Sequence, residues 1–285
     1  MATPDFGSAY DGSALKALRE LDQAKYLACL FVPEGKREAF AALSAYAAEL
    51  KRIPLLVSEP LPGEIRLQWW RDIISGQRAG EAGNQPVAAA LLSAIATYHL
   101  PLAPLDALAE ARIFDLYHDP MPDIAALETY LGETEAAIIQ LGGLILDPEN
   151  ASKAAEAAGH AGMAIGIANI LRQMPRATRR QQMYIAVSIL NAIGCTVEDV
   201  FGDNANARAN AVSALVALGR DHLKSFKRLG ETIAPQLRPA FLGTALCEPV
   251  FRKAEKIGAA AFETDIITSP LLTPIRLAYR AMRGW

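Results

Sequence analysis

The sequence of 285 residues predicts an all-α fold on three observations. Apolar residues recur at steps of three and four, which is the spacing that gives a helix one buried face. Alanine, the residue with the highest helix propensity, is frequent along the chain. Runs in which apolar and polar residues alternate, as they do in a half-buried strand, are absent. We therefore predict a series of helices joined by short loops.

The first helices follow from apolar runs near the start of the chain. Their members are Leu15, Leu18 and Leu21, and then Phe40, Leu43, Tyr46, Ala47 and Leu50. Ser58 and Pro62 are typical of a helix N-terminus and predict a helix that carries Trp69 and Trp70. Because adjacent positions on a helix are about 100° apart, we expect one of these two tryptophans to be buried and the other to face away.

Clusters of proline and glycine separate the predicted helices. They lie at residues 33–35, 60–63, 101–104 and 120–122. No linker, low-complexity tract or internal repeat interrupts the series. We therefore predict one domain that spans residues 1–285.

The composition favours some classes of ligand over others. Hydrophobic residues make up 52% of the chain, and the mean hydropathy is +0.15, so a lipid ligand or a membrane-facing surface is to be expected. The formal net charge of -3 provides no global cationic field, so we predict no nucleic-acid partner.

The cysteines and the N-terminal residues indicate a compartment. Cys29, Cys195 and Cys247 have neither the even number of a disulfide framework nor the spacing of a zinc site. Residues 1–11 lack the basic start and apolar run of a signal peptide. No window reaches the roughly 18 apolar residues of a membrane span. We therefore expect a cytoplasmic protein that contacts a membrane at most peripherally.

The segment at residues 162–184 carries a specific pattern, which begins GMAIGIANILR and continues through an arginine pair to a tyrosine. It resembles the second signature of the squalene/phytoene synthase family, G-x-A-x-Q-L-T-N-I-L-R-D, with an acidic turn and R-R-G-R-I-Y after it. The matching residues are Gly162, Ala164, Asn169, Ile170, Leu171, Arg172, Arg179, Arg180 and Tyr184.

Residues 42–49, ALSAYAAE, resemble the segment that leads into the first aspartate motif of that family. The resemblance extends from about Leu21 to the C-terminus. It implies a single-domain, isoprenoid synthase-type helical bundle around a central cavity. In an active member, two aspartate motifs hold Mg²⁺ ions that start a head-to-head condensation of two prenyl diphosphates.

The aspartates of both motifs are replaced in this chain. The first motif's acidic positions hold Lys51, Arg52 and Leu55, and the second motif's hold Gln173 and Ala177. A protonated lysine cannot ligate Mg²⁺ and arginine is effectively never deprotonated. We therefore predict no metal and no cofactor at these positions.

The resulting pattern resembles a branch of the family that includes the mitochondrial complex I assembly factor and lacks synthase activity. The first hypothesis is therefore a non-catalytic protein that binds a lipid, an isoprenoid or a partner protein, perhaps in assembly of respiratory complex I. The second is an active prenyltransferase with metal ligands relocated to Asp115, Asp119 or Glu49. The third is a lipid carrier that has kept the cavity and lost the reaction.

The resemblance also supplies candidate binding residues. If the two signature helices face each other as in the family, their polar residues form an anion site that binds diphosphate without metal. This candidate anion site consists of Lys51, Arg52, Asn169, Arg172, Gln173, Arg176, Arg179, Arg180 and Tyr184. The alternative is a set of helix ends whose cations are solvated or paired, with Glu49 as one partner.

Four further residues are predicted to line the cavity of the family fold. They are Tyr46, Gly142, Gly162 and Gly166. The glycines have an equally good alternative explanation, since a missing side chain also permits close helix packing.

Other polar residues have structural explanations that we prefer. Asp115 and Asp119 have metal-ligand spacing, but Asp119 precedes a proline, so we interpret the pair as a polar helix end. The histidines lie far apart in sequence and are expected to be structural.

The last predicted helix is amphipathic. Arg276, Arg280 and Arg283 lie on one face, and apolar residues that include Ile275 and Met282 lie on another. This pattern fits either contact with an anionic membrane or, as we prefer, packing onto the domain.

Overall fold

Helices account for the regular structure of the chain. The computed structural model describes residues 12–202 and 204–285, and the prediction that residues 1–11 lack a signal peptide lies outside them. In the described part, the α-helices are α1 Ser13–Leu21, α2 Gln23–Cys29, α3 Glu34–Arg52, α4 Pro60–Ile74, α5 Pro86–Tyr98, α6 Leu102–Ala111, α7 Ile124–Leu131, α8 Ala137–Leu146, α9 Pro148–Ala151, α10 Ala155–Arg179, α11 Val187–Ala192, α12 Val197–Phe201, α13 Ala205–Gly230, α14 Arg238–Phe241, α15 Cys247–Ile257 and α16 Leu272–Arg283.

Short tighter or wider turns connect or extend these helices. The 3-10 helices are Ile53–Leu55, Ala79–Asn84, Arg112–Leu116, Ser152–Ala154, Pro235–Leu237, Leu242–Leu246 and Gly258–Phe262, and Gly132–Ala136 is a π turn. No β-strand occurs within residues 12–202 and 204–285. The predicted all-α fold is confirmed.

The N-terminus of α4 lies between the two predicted N-terminal signals, Ser58 and Pro62. Pro60 occupies the first turn of the helix, where its missing N–H costs no hydrogen bond. Trp70 is buried and packs edge-on to Tyr46, with ring centroids 5.2 Å apart. Trp69 is half-buried and its Nε1 donates to Glu81 Oε2 at 3.0 Å. The prediction that one of the two tryptophans is buried is confirmed.

The helices form two compact units. The first contains the described residues as far as Leu116, together with Ala137–Ala154 and Ala234–Ala240. The second contains Tyr117–Ala136, Ala155–Ile233 and Phe241–Trp285. One domain across residues 1–285 stays a prediction.

The first unit is built around α3. This helix packs against α1, α5 and α8, and most of its middle residues are buried. The Lys36 ammonium donates to the carbonyl of Leu146, the last residue of α8, at 2.7 Å. A cation at this end of a helix stabilises the unpaired carbonyls there.

The second unit is built around α10. This helix packs against α13, α15 and the π turn Gly132–Ala136. The Trp285 indole donates to Thr244 Oγ1 at 2.9 Å and its ring lies edge-on to Phe226.

None of the helices described above is both long enough and apolar enough to cross a bilayer.

Candidate functional site

Most of the second-signature residues lie on α10, and Arg180 and Tyr184 follow its end. Arg176 and Arg179 are exposed, while Arg172 and Arg180 are half-buried. The Tyr184 ring lies 6.0 Å from that of Tyr130, measured between centroids. At 100° per residue, Arg172, Arg176 and Arg179 share one face of α10 within an arc of about 60°, and Arg180 lies just beyond the end of the helix.

A polar cluster lies around the middle of α10, in the second unit. Its members are Glu135, Asn169, Arg172 and Cys247. Asn169 Nδ2 donates to Glu135 Oε1 at 3.1 Å, and Glu135 is buried. Sequence analysis singled out Asn169 and Arg172 but missed Glu135 and Cys247, because neither belongs to a recognisable motif.

The pKa of the Cys247 thiol depends on burial and on the charges of Arg172 and Glu135. Burial raises its pKa to about 12, Arg172 acts to lower that pKa, and Glu135 acts to raise it. The thiolate is the nucleophilic form of cysteine, so a thiol held neutral in this way is not suited to nucleophilic catalysis. The cluster therefore joins two buried side chains, Glu135 and the neutral Cys247, to the half-buried side chains of Asn169 and Arg172.

The second-motif positions hold no oxygen pair. Gln173 Nε2 donates to the Asn169 carbonyl at 3.1 Å, so this side chain turns back onto its own helix. Ala177 and Tyr184 line a cleft whose volume is only about 10 Å³. A space of that size holds about one water molecule and not a prenyl chain.

The first-motif positions lie at the end of α3 and beyond it, in the first unit. Arg52 Nε lies 3.2 Å from Glu49 Oε2. Burial raises the pKa of Glu49, and Arg52 acts to lower it. Lys51 and Arg52 occupy the last turn of α3, where cations stabilise a helix. The alternative of a paired helix end is confirmed for Arg52.

These positions do not fit the Mg²⁺ ions of the family's enzymes. Mg²⁺ requires several hard oxygen ligands, and the replaced positions carry two cations, two apolar side chains and one amide. Among the residues that the structure describes, no three His, Cys, Asp or Glu side chains are grouped to hold a metal.

The residues considered for relocated metal binding have other surroundings. Asp115 is buried and its Oδ2 accepts from Arg112 Nη1 at 3.2 Å. Asp119 is exposed. We interpreted Asp115 and Asp119 as a polar helix end. This interpretation is wrong for Asp115, which lies in a buried ion pair within the 3-10 helix Arg112–Leu116.

Lys51 and Arg52 belong to the first unit, and the arginines of α10 belong to the second. The candidate anion site that would unite them stays a prediction.

The predicted cavity-lining residues lie in packed surroundings. Tyr46 is fully buried and its hydroxyl donates to the Leu105 carbonyl at 2.8 Å. A Cβ added to Gly142 would lie 2.7 Å from Phe40 Cε2. One added to Gly162 would lie 2.6 Å from the Ala136 backbone, and one added to Gly166 would overlap the Leu131 side chain. These glycines permit close helix packing, and their assignment to a cavity stays a prediction.

A histidine pair in the second unit was missed. His160 on α10 and His222 on α13 bring their Nδ1 atoms to 3.0 Å. Such a contact needs one protonated and one unprotonated nitrogen. That these two histidines are structural stays a prediction. Their pairing could not be seen in the sequence, because 62 residues separate them.

The stability of the protein is expected to fall on acidification through this pair. Burial lowers the pKa of His222 from its ordinary value of 6.5 and His160 lowers it further, against smaller opposing effects of Glu128 and Asp221. Below that value the unfolded chain takes up a proton that the folded chain resists, so the free energy of unfolding decreases as pH falls. Urea unfolding at about pH 7.5 and about pH 5.5 measures the difference.

His222→Asn should reduce the decrease in the free energy of unfolding between the two pH values. The control His118→Asn should leave that decrease unchanged, because His118 is exposed. A loss of equal size in the parent and in His222→Asn would contradict the assignment.

The fold and the two altered motifs together define an isoprenoid synthase-type protein without that enzyme class's acidic metal ligands. The model of the family named squalene/phytoene synthase matches residues 18–275. The chain therefore belongs to the squalene/phytoene synthase family.

Two mammalian relatives resemble this chain over nearly its full length. The human protein named NADH dehydrogenase (ubiquinone) complex I, assembly factor 6 is 27% identical over 274 residues, which cover 96% of this chain and 82% of the human one. The protein of the same name from Bos taurus is 28% identical over 278 residues, covering 97% and 83%.

Solved structures of synthases share the fold. Squalene synthase HpnC from Alicyclobacillus acidocaldarius has a TM-score of 0.74 at 19% identity, covering 90% of this chain and 97% of that one. A dehydrosqualene synthase in complex with ligand has a TM-score of 0.77 at 14% identity and covers 96% of each chain. The predicted isoprenoid synthase-type fold is confirmed.

Proposed function

We propose that this chain is a non-catalytic member of the squalene/phytoene synthase family that acts in the assembly of respiratory complex I. The observation that carries the proposal is the loss of every acidic position in both metal-binding motifs, in a chain that matches proteins named complex I assembly factors along nearly its whole length.

The charges at the altered positions support the absence of catalysis. Ionisation of a prenyl diphosphate on Mg²⁺ needs carboxylates that gather the metal ions. Lys51 and Arg52 would repel those ions. Glu49 is already paired with Arg52, and Asp115 with Arg112, so neither is free to replace a lost ligand.

An exposed apolar surface beside the first motif supports a protein partner. Leu55, Leu56, Leu61 and Ile65 are between 49% and 66% exposed. Large apolar side chains grouped at a surface are typical of sites that another protein covers. Leu55 itself stands at a replaced acidic position of the first motif, and Leu56, Leu61 and Ile65 follow it in the sequence.

The remaining parts of the proposal concern ligand and location. An isoprenoid or other lipid is the alternative ligand to a protein, and the candidate anion site would hold its head group. We place the protein in the cytoplasm, in peripheral contact with a membrane and without a nucleic-acid partner.

The test of this function combines a reaction assay with a cellular assay. Purified protein with farnesyl or geranylgeranyl diphosphate and millimolar Mg²⁺ should yield no head-to-head product by mass spectrometry. Mg²⁺ should also give no saturable rise in melting temperature beyond that of Na⁺ at matched ionic strength, because only a bound ligand stabilises the native state. Deleting the gene should lower the amount of assembled complex I on native gels.

The opposite outcomes identify the alternatives. Mg²⁺-dependent product that disappears in Asp119→Ala or Glu49→Gln would establish an active prenyltransferase with relocated ligands. Unchanged complex I after deletion, together with lipid extracted from the purified protein, would establish a carrier.

A further inference from the structure

The last helix, α16, uses only part of its surface to pack onto the second unit. Leu277 is fully buried, and α16 contacts the 3-10 helix Leu242–Leu246. The sequence offered packing and membrane contact as alternatives for this helix. The structure shows that packing on the Leu277 side leaves the predicted apolar face exposed.

That exposed face forms an apolar ridge. Its members are Leu271, Leu272, Ile275, Tyr279 and Met282, whose exposed fractions are 82%, 43%, 62%, 55% and 73%. At 100° per residue these positions fall within an arc of about 100°. Arg276, Arg280 and Arg283 follow in the adjoining sector, between the apolar ridge and the buried side.

A basic groove adjoins the apolar ridge. It is open, has a volume of about 600 Å³, and lies between α15, the segment after residue 266, and α16. Its cations are Arg252, Lys253, Lys256 and Arg276. No carboxylate is among its lining residues, and Ile267, which is 65% exposed, provides an apolar side chain at the same place.

Three cations of the basic groove, Arg252, Lys253 and Lys256, are exposed, and the fourth, Arg276, is half-buried. Arg276 Nη1 is buried and has no hydrogen-bond partner among the residues that the structure describes. Arg252 lies 3.8 Å from the Glu248 carboxylate, at the outer limit of an ion pair, and its side chain is 67% exposed. Lys253 Nζ donates to the Ile267 carbonyl at 3.1 Å, which leaves its other two protons for an anion.

We propose that α15 and α16 form a docking surface for an anionic lipid membrane, with the apolar ridge inserted among the acyl chains and lipid phosphates in the basic groove. An apolar face flanked by cations is complementary to a membrane in both hydropathy and charge. The chain as a whole carries a charge of -3, so attraction to an anionic membrane has to come from such a local surface. This proposal rests on the peripheral membrane contact included in the proposed function and names the surface that makes it. The vesicle assay does not involve complex I, so the docking surface can fail while the assembly role stands.

The experiment measures co-sedimentation of the full chain with vesicles. One set contains phosphatidylcholine and phosphatidylglycerol in equal amounts, and the other contains phosphatidylcholine alone. The protein should bind the anionic vesicles and bind the neutral ones about tenfold less, and added KCl should weaken the anionic binding.

Two variants separate the charged and apolar contributions. Lys253→Glu with Lys256→Glu reverses two exposed cations of the basic groove, and Ile275→Ser with Met282→Ser removes exposed apolar side chains. Each should reduce the bound fraction about tenfold. Circular dichroism should show an unchanged fold, because all four side chains are exposed.

The matched controls make the same chemical changes elsewhere. Lys224→Glu with Arg228→Glu reverses two exposed cations of α13, and Leu102→Ser with Ile124→Ser removes two exposed apolar side chains of α6 and α7. Both should bind vesicles as the parent does. Absence of binding to anionic vesicles, equal binding to both vesicle sets, or loss in the controls but not in the α15 and α16 variants would overturn the proposal.

Discussion

Asp115→Ala is expected to destabilise the protein by about 3–5 kcal/mol, because it leaves the Arg112 guanidinium in a buried site without its carboxylate. The two side chains are only 6% and 5% exposed, and their charged atoms lie 3.2 Å apart. Arg112 Nε is also buried, so water cannot readily solvate the guanidinium once the Asp115 carboxylate is removed. Urea unfolding followed by circular dichroism measures the change.

The control is Asp119→Ala, which alters the other residue of the same sequence pair. Asp119 is exposed, so this variant should change the free energy of unfolding by less than about 0.5 kcal/mol. The double variant Arg112→Met with Asp115→Leu should recover most of the loss, since an apolar pair removes both buried charges. Near-normal stability of Asp115→Ala, combined with a Mg²⁺-induced stabilisation that only the parent shows, would instead identify Asp115 as a metal ligand.

Gly162→Ala is expected to cost about 2–3 kcal/mol through overpacking. The added methyl group would lie 2.6 Å from the Cα and N atoms of Ala136. Backbone atoms cannot rotate away as a flexible side chain can, so α10 would have to move from the π turn that contains Ala136. Thermal and urea unfolding of the purified variant measure the cost.

Gly159→Ala provides a control on the same helix. Beyond its two chain neighbours and the adjacent backbone of α10, no described atom lies within 4 Å of the position of its added Cβ. Alanine has a higher helix propensity than glycine by about 0.8–1 kcal/mol, so this variant should be slightly more stable than the parent. Equal effects of the two substitutions would mean that Gly162 is not a close-packing position.

The helices were predictable because their signals are local. Apolar spacing gave α1 and α3, and the proline clusters marked the ends of neighbouring helices. The start of α4 was predicted only to within the range from Ser58 to Pro62, because Pro60 and Pro62 both suit a first helical turn. The π turn at Gly132–Ala136 had no local signal, since its wider hydrogen-bond spacing depends on packing rather than on residue type.

The candidate site was predictable to a smaller extent. The identity of side chains at motif positions was enough to exclude a carboxylate set there, because that exclusion depends on chemistry alone. The partners of those side chains were not predictable. Glu135 meets Asn169 across 34 residues, and His160 meets His222 across 62, and such contacts arise only when helices pack.

The replaced motif positions also constrain how the protein can evolve. One aspartate restored at Lys51 or Arg52 would leave a cation at the neighbouring position, and that cation would repel Mg²⁺. One restored at Gln173 or Ala177 would stand alone, since a single carboxylate does not gather a metal cluster. No single substitution therefore yields a selectable gain in metal binding. Restoring a metal-binding pair of carboxylates at either motif therefore requires at least two substitutions at once.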